Sequence, residues 1–156
     1  MSLLNACASR QAVNLAQLEA NAANVAQPAP TTPDLLTTEA VLDAFKNANL
    51  PLTDVIVYTE ATDKNNLLGR PHQYVGKINF SDKRVKNTAM TKQGNSIEVF
   101  LTQEDLEARK NYTEGISKSG GPFAQYVYSH KNVLLRLVHQ ILPKDAAQDE
   151  TILKSL

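Results

Sequence analysis

The sequence predicts an α+β domain, a mainly antiparallel sheet of about five strands with helices packed on one face. Three observations lead there. Strand-like runs follow closely on one another around Val55–Tyr58, Tyr74–Phe80 and Asn95–Leu101, and two more stand together between Ala124 and Leu142. Most of their connections are short or loop-like, which suits antiparallel neighbours, because parallel strands need long crossovers. Helical patterns interrupt them in the order helix, three strands, helix, hairpin, helix, without the regular alternation of a doubly wound parallel sheet.

The first element is the helix in "TTEAVLDAFKNANLP". Thr37 or Thr38 is available as N-cap, Glu39 suits the first turn, and Val41, Leu42, Phe45 and Ala48 recur at helical spacing before Leu50-Pro51 ends it. "DVIVYTEAT" carries four consecutive β-formers, Val55 to Tyr58. "DKNNLLGRPHQ" has turn chemistry in Asn65, Asn66, Gly69 and Pro71. In "YVGKINF", Tyr74, Gly76, Ile78 and Phe80 share one face and Val75, Lys77 and Asn79 the other, as in a half-solvated strand. "NSIEVFL" places Ile97, Val99 and Leu101 on one side.

Thr102 then offers an N-cap with Asp105 three residues on, and the helix that follows carries Ala108, Tyr112 and Ile116 at spacings of four until Gly120-Gly121-Pro122 stops it. "AQYVYSHKNVLLRLVHQIL" reads as two strands joined around Ser129 to Asn132. Within it Arg136 shares a face with Leu134 and Val138, so it either snorkels at an edge or pairs with a carboxylate. Pro143 opens a last helix with Ala146, Ala147, Thr151 and Ile152 near one face.

At 156 residues the chain fits one core, and the folded domain is expected over 34–156. Sixteen basic and sixteen acidic residues cancel, so no global field gathers nucleic acid, which is not expected as a partner. A single cysteine excludes an intramolecular disulfide and a thiolate-rich zinc site. The histidines His72, His130 and His139 lie far apart, with no HxH or HExxH pair, so no metal is expected. There is no GxxxxGK[ST] loop and no GxSxG elbow, and no cofactor or catalytic residue is predicted. The pair Glu60 and Asp63, at a strand end, reads as a solvated loop. The five tyrosines read as core-edge residues, or as a binding platform where several share a sheet surface.

The lone thiol, Cys7, stands in "LLNACAS". Leu4, Asn5, Ala6 and Cys7 resemble the end of a bacterial lipoprotein signal peptide, which implies lipid attachment at Cys7. Six residues precede Cys7, fewer than the charged and apolar regions of a secretory signal occupy, so this reading expects an apolar signal ahead of Leu4 in the natural precursor. The segment up to residue 33 reads as a lipobox remnant followed by a flexible tether. It holds a narrow stripe of Leu15, Leu18, Ala22 and Val25, then Pro28, Pro30 and Pro33, which stiffen it.

"VYTEATDKNNLLGRPHQYVGKINF", "IEVF" leading into "ARKNYTEGI", and "YVYSHKNVLLRLVHQILP" together resemble a group of small extracytoplasmic lipoproteins of Gram-positive bacteria. The resemblance implies a location, the outer face of the cell membrane, and no reaction.

Charge supplies the strongest local pattern. Lys64 to Lys92 holds seven basic residues against Asp82 alone, whereas Glu98 to Glu114 holds five acids against Arg109 and Lys110. Within the basic stretch, "GRPHQY" suggests an anion- or ligand-binding loop: Gly69 permits close approach, Arg70 supplies a fork, His72 and Tyr74 add polar contacts, and Lys77 follows on the next strand. The sequence therefore predicts a lipid-anchored extracytoplasmic binding domain, non-catalytic, of unknown ligand. Its expected partners are an anionic membrane or cell-wall surface, or another protein, with membrane contact through the lipid anchor only. Two rivals stand beside this: a cytoplasmic or phage-derived protein-interaction module with an incidental Cys7, and a small hydrolase using loop carboxylates and His72.

Overall fold

Thr37 lies in extended backbone and its hydroxyl accepts from the Ala40 N–H, which opens helix α1 (Thr38–Asn47). The helix closes where Asn49 turns left-handed at φ 56° and the Leu50 N–H reaches the Phe45 carbonyl. These residues belong to a computed structural model that describes residues 34–156; the lipobox and tether expected of 1–33 lie outside the described residues. The compact unit spans Asp34–Leu156.

After α1 come β1 (Leu52–Val57), β2 (Gly76–Asp82), β3 (Asn95–Val99), α2 (Gln103–Ser117), a 3-10 turn (Gly121–Phe123), β4 (Gln125–His130), β5 (Val133–Val138) and α3 (Pro143–Lys154). The five strands form one sheet in the order β1-β2-β3-β5-β4, antiparallel at every junction. The fold is α+β, as the pattern of elements predicts. A bulge in β1 inserts one residue between the pairs Thr53–Ser81 and Ile56–Asn79, with Asp54 at φ 48°.

The main core lies on one face. Ile78, Phe80, Ile97, Val99, Val133, Leu135 and Leu137 of the sheet meet Val41, Leu42 and Phe45 of α1 and Ala146 and Leu153 of α3. Phe45 and Phe80 pack edge to face, 6.5 Å between centroids.

The expectation of helices on one face holds for α1 and α3, whereas α2 roofs the opposite face. There Leu106 joins Leu134, Phe100, Tyr74 and Leu68 in a smaller cluster. The expected inner stripe of α2 is turned outward: Tyr112 is 62% exposed and Ile116 38%, while Leu106 and Thr113 are buried. The cause is the sheet beneath. Its alternate positions present the buried charge of Glu98, which draws Arg109 inward and fixes the rotation of the helix. Leu101, expected in line with Val99, sits beyond the strand and is exposed, and Phe100 is buried in its place. On α3 the buried positions are Ala146, Asp149 and Leu153, with Ala147 and Thr151 outward.

Two polar ties complete the frame. The Asn132 amide accepts from the Leu36 N–H at 2.9 Å and donates to the Leu36 carbonyl at 2.9 Å and the Phe100 carbonyl at 3.2 Å. Arg84 donates from Nε to both Asp82 oxygens and from Nη2 to Asp149 Oδ2 at 2.7 Å, linking the end of β2 to α3. Asp149 is 1% exposed, and its Oδ1 has no partner among the described residues. Burial pushes the Asp149 carboxyl up to about 6 against the opposing pull of Arg84.

Candidate functional site

The lobe between β1 and β2 is built around Asp63. Its Oδ2 accepts from the Tyr74 hydroxyl at 2.7 Å and from the Leu67 and Leu68 amides at 3.0 and 3.1 Å. Its Oδ1 accepts from Lys77 Nζ at 2.8 Å and the Asn65 amide at 3.3 Å. Burial alone would raise the carboxyl, but Lys77, Tyr74 and the two amides overcome it and hold Asp63 well below the usual carboxylate range. The Lys77 ammonium also lies 4.9 Å from the Tyr58 ring centroid and 5.2 Å from that of Tyr74. Asp63 is thus the buried hub of the lobe, in contrast to the solvated loop carboxylate that the sequence suggests.

A second buried charge cluster adjoins the first beneath α2. Glu98 accepts from Arg136 Nη2 at 2.9 Å, from Arg109 Nε at 3.1 Å and from Arg109 Nη2 at 3.3 Å. Arg136 also donates to the Ser96 hydroxyl at 2.9 Å, so of its two predicted roles the carboxylate pair is the one observed. Burial opposes the Arg109 charge and Glu98 restores it, raising the guanidinium above its ordinary value. The Arg109 carbon Cζ stands 5.6 Å from the Tyr74 centroid and 5.7 Å from that of Tyr112, so the guanidinium joins the inner ring to the outer one.

Where the lobe meets α2, a cleft of about 250 Å³ opens between His72 and Gln73 on one side and Ala108, Arg109 and Tyr112 on the other. His72 stands at φ 60°, a conformation uncommon for a residue with a Cβ, and its side chain is 86% exposed. Its Nδ1 lies 3.0 Å from Asp105 Oδ1. Asp105 is held in turn by Thr102, whose hydroxyl donates to Oδ2 at 2.7 Å and caps α2 by accepting the Asp105 N–H. The Thr102 hydrogen bond, with His72 assisting, keeps the Asp105 carboxyl below its ordinary value. A charged Asp105 accepts, which assigns the proton to His72 Nδ1 and leaves Nε2 outward.

Of the four residues the sequence nominates for ligand contact, His72 alone lines this cleft. Arg70 is exposed nearby, donating to Asn66 Oδ1 at 3.1 Å. Tyr74 is fully buried and Lys77 is 5% exposed, so both serve the interior of the lobe. Tyr74 is raised above its ordinary value by burial and by its bond to Asp63, and remains a hydrogen-bond donor. Gln73, Arg109 and Tyr112 are cleft residues that sequence reading did not nominate. The one signal available was the alternation of Ser96 and Glu98 opposite Arg136, which marks a charged inner layer beneath a helix bearing Arg109.

A second concavity, about 350 Å³, lies at the end of the sheet by the start of α1. Leu35, Val57, Val75 and Leu101, 37 to 62% exposed, rim it over Gly76 and Phe100. Among the described residues there is no cluster of three or more His, Cys, Asp or Glu able to hold a metal, and no helix is long and apolar enough to cross a membrane. No protein-family model, curated protein or solved structure matches this chain.

Proposed function

We propose that the protein is a lipid-anchored extracytoplasmic domain that acts by binding, without catalysis, and takes its ligand at the cleft between His72 and Tyr112. The cleft carries this reading. Its polar groups are held in place, His72 by Asp105 and Thr102 at the surface and Arg109 by the buried Glu98. Groups fixed in advance lose little freedom when a ligand arrives, which is what a recognition surface requires. Cys7 after Leu4-Asn5-Ala6 supplies the attachment point, and the prolines at 28, 30 and 33 supply reach from a membrane to a wall polymer or a neighbouring protein.

The test uses the natural gene with its own upstream sequence in its source cell. Mass spectrometry of the membrane fraction is expected to find Cys7 at a new N-terminus bearing a thioether-linked diacylglyceryl group. A Cys7→Ser form is expected to leave the membrane. An unmodified Cys7 in the cytoplasmic fraction overturns the anchored reading.

A further inference from the structure

We propose that the ligand of the cleft is a carbohydrate, a neutral sugar ring seated on Tyr112; this rests on the reading of the cleft as a binding site. Tyr112 is an aromatic ring 62% exposed on the outer side of α2, one helical turn beyond the small Ala108. The Arg109 guanidinium, 5.7 Å from its centroid, steadies the ring. A surface aromatic fixed at the rim of a cleft is an apolar platform for a flat ligand.

The polar groups around it are suited to hydroxyls. Gln73 offers an amide that both donates and accepts, and its side chain has no partner among the described residues. Arg109 spends Nε and Nη2 on Glu98, and Nη1 has no acceptor among the described residues. His72 presents Nε2, its Nδ1 being engaged by Asp105.

Charge decides between ligand classes. Each cationic or potentially cationic group at the cleft already faces a carboxylate: Arg109 faces Glu98, which it shares with Arg136, and His72 faces Asp105. An anion would therefore meet Glu98 and Asp105 beside those groups and gain less there than from an unpaired cation. A purely apolar ligand would strip water from Gln73, Arg109 and His72 without replacing its hydrogen bonds. A pyranose satisfies both demands, with one C–H face for the tyrosine and a rim of hydroxyls for the three polar side chains. The opening, about 250 Å³, suits one ring of a longer chain.

The experiment is an amide ¹H–¹⁵N titration of the full chain with chitotetraose, maltotetraose or inorganic phosphate, each added separately. At least one glycan is expected to shift the amides of Gln73, Ala108 and Tyr112 and to leave those of Phe45 and Ile97 in place. Tyr112→Phe is expected to keep this response, and Tyr112→Ala to weaken it by about tenfold or more. Both variants change an exposed side chain, and unchanged Phe45 and Ile97 signals verify the fold. Shifts at Gln73 and Arg109 with phosphate and neither glycan overturn the carbohydrate assignment and leave the cleft a binding site. No response at these positions to any of the three overturns both. Glycan shifts that persist unweakened in Tyr112→Ala overturn the platform.

Discussion

Asp63 receives five donors, from Asn65, Leu67, Leu68, Tyr74 and Lys77, so removing its carboxylate leaves an ammonium and a phenol buried without their acceptor. Asp63→Ala is expected to cost about 3–5 kcal/mol, read as a fall in the urea midpoint. Replacing Asp63 and Lys77 together by Leu and Met is expected to cost less than the sum of the single changes, because no charge is then stranded. Asp149 gives the opposite pH behaviour. Its folded-state carboxyl titrates near 6 and its ordinary value is 3.8, so the folded chain holds that proton more tightly. The stabilisation is fully present below pH about 3.8 and is lost as pH rises through about 6, an effect on the order of 3 kcal/mol. Urea midpoints between pH 4 and 7 are expected to fall in the wild type relative to Asp149→Asn. Asp63, whose carboxyl is lowered, contributes above the ordinary carboxylate range and loses that contribution only at more acid pH, so the two effects occupy separate windows.

Among the elements, α2 depends on one residue at its start. Thr102 caps the helix and also holds Asp105, which holds His72. Thr102→Ala is expected to cost about 1 kcal/mol of stability in thermal melts and to broaden the His72 ring signals, because its brace is gone. The presence of each helix and strand was legible from caps, β-branched runs and glycine or proline stops, features that act within a few residues. The rotation of α2 was not. Ala108, Tyr112 and Ile116 are its apolar positions, yet Arg109 faces inward because Glu98, on the preceding strand β3, lies buried beneath the helix. A helix rotates to satisfy a buried charge before it hides a tyrosine edge, and that preference is invisible until the partner strand is known. The same holds for the site. His72 was readable beside Gly69 and Pro71, but Tyr74 and Lys77 changed roles once Asp63 drew them inside.

At the scale of the whole molecule, a two-faced sheet gives residues 34–156 two hydrophobic clusters, a larger one under α1 and α3 and a smaller one under α2. A chain starting at Asp34 is therefore expected to unfold in one cooperative transition, with the same midpoint by tyrosine fluorescence and by far-ultraviolet circular dichroism. Separate midpoints would mean that the α2 side melts independently.

The grip of Asn132 on Leu36 gives this body a mechanical point of load. A pull delivered through residue 34 reaches three amide bonds to Leu36 and Phe100 before it can strain helix α1, so the hairpin end of β5 bears the tension. In optical-tweezer stretching from the N-terminal side, Asn132→Ala is expected to yield at lower force than the wild type. That one side chain is the clasp between the segment ahead of α1 and the turn from β4 to β5.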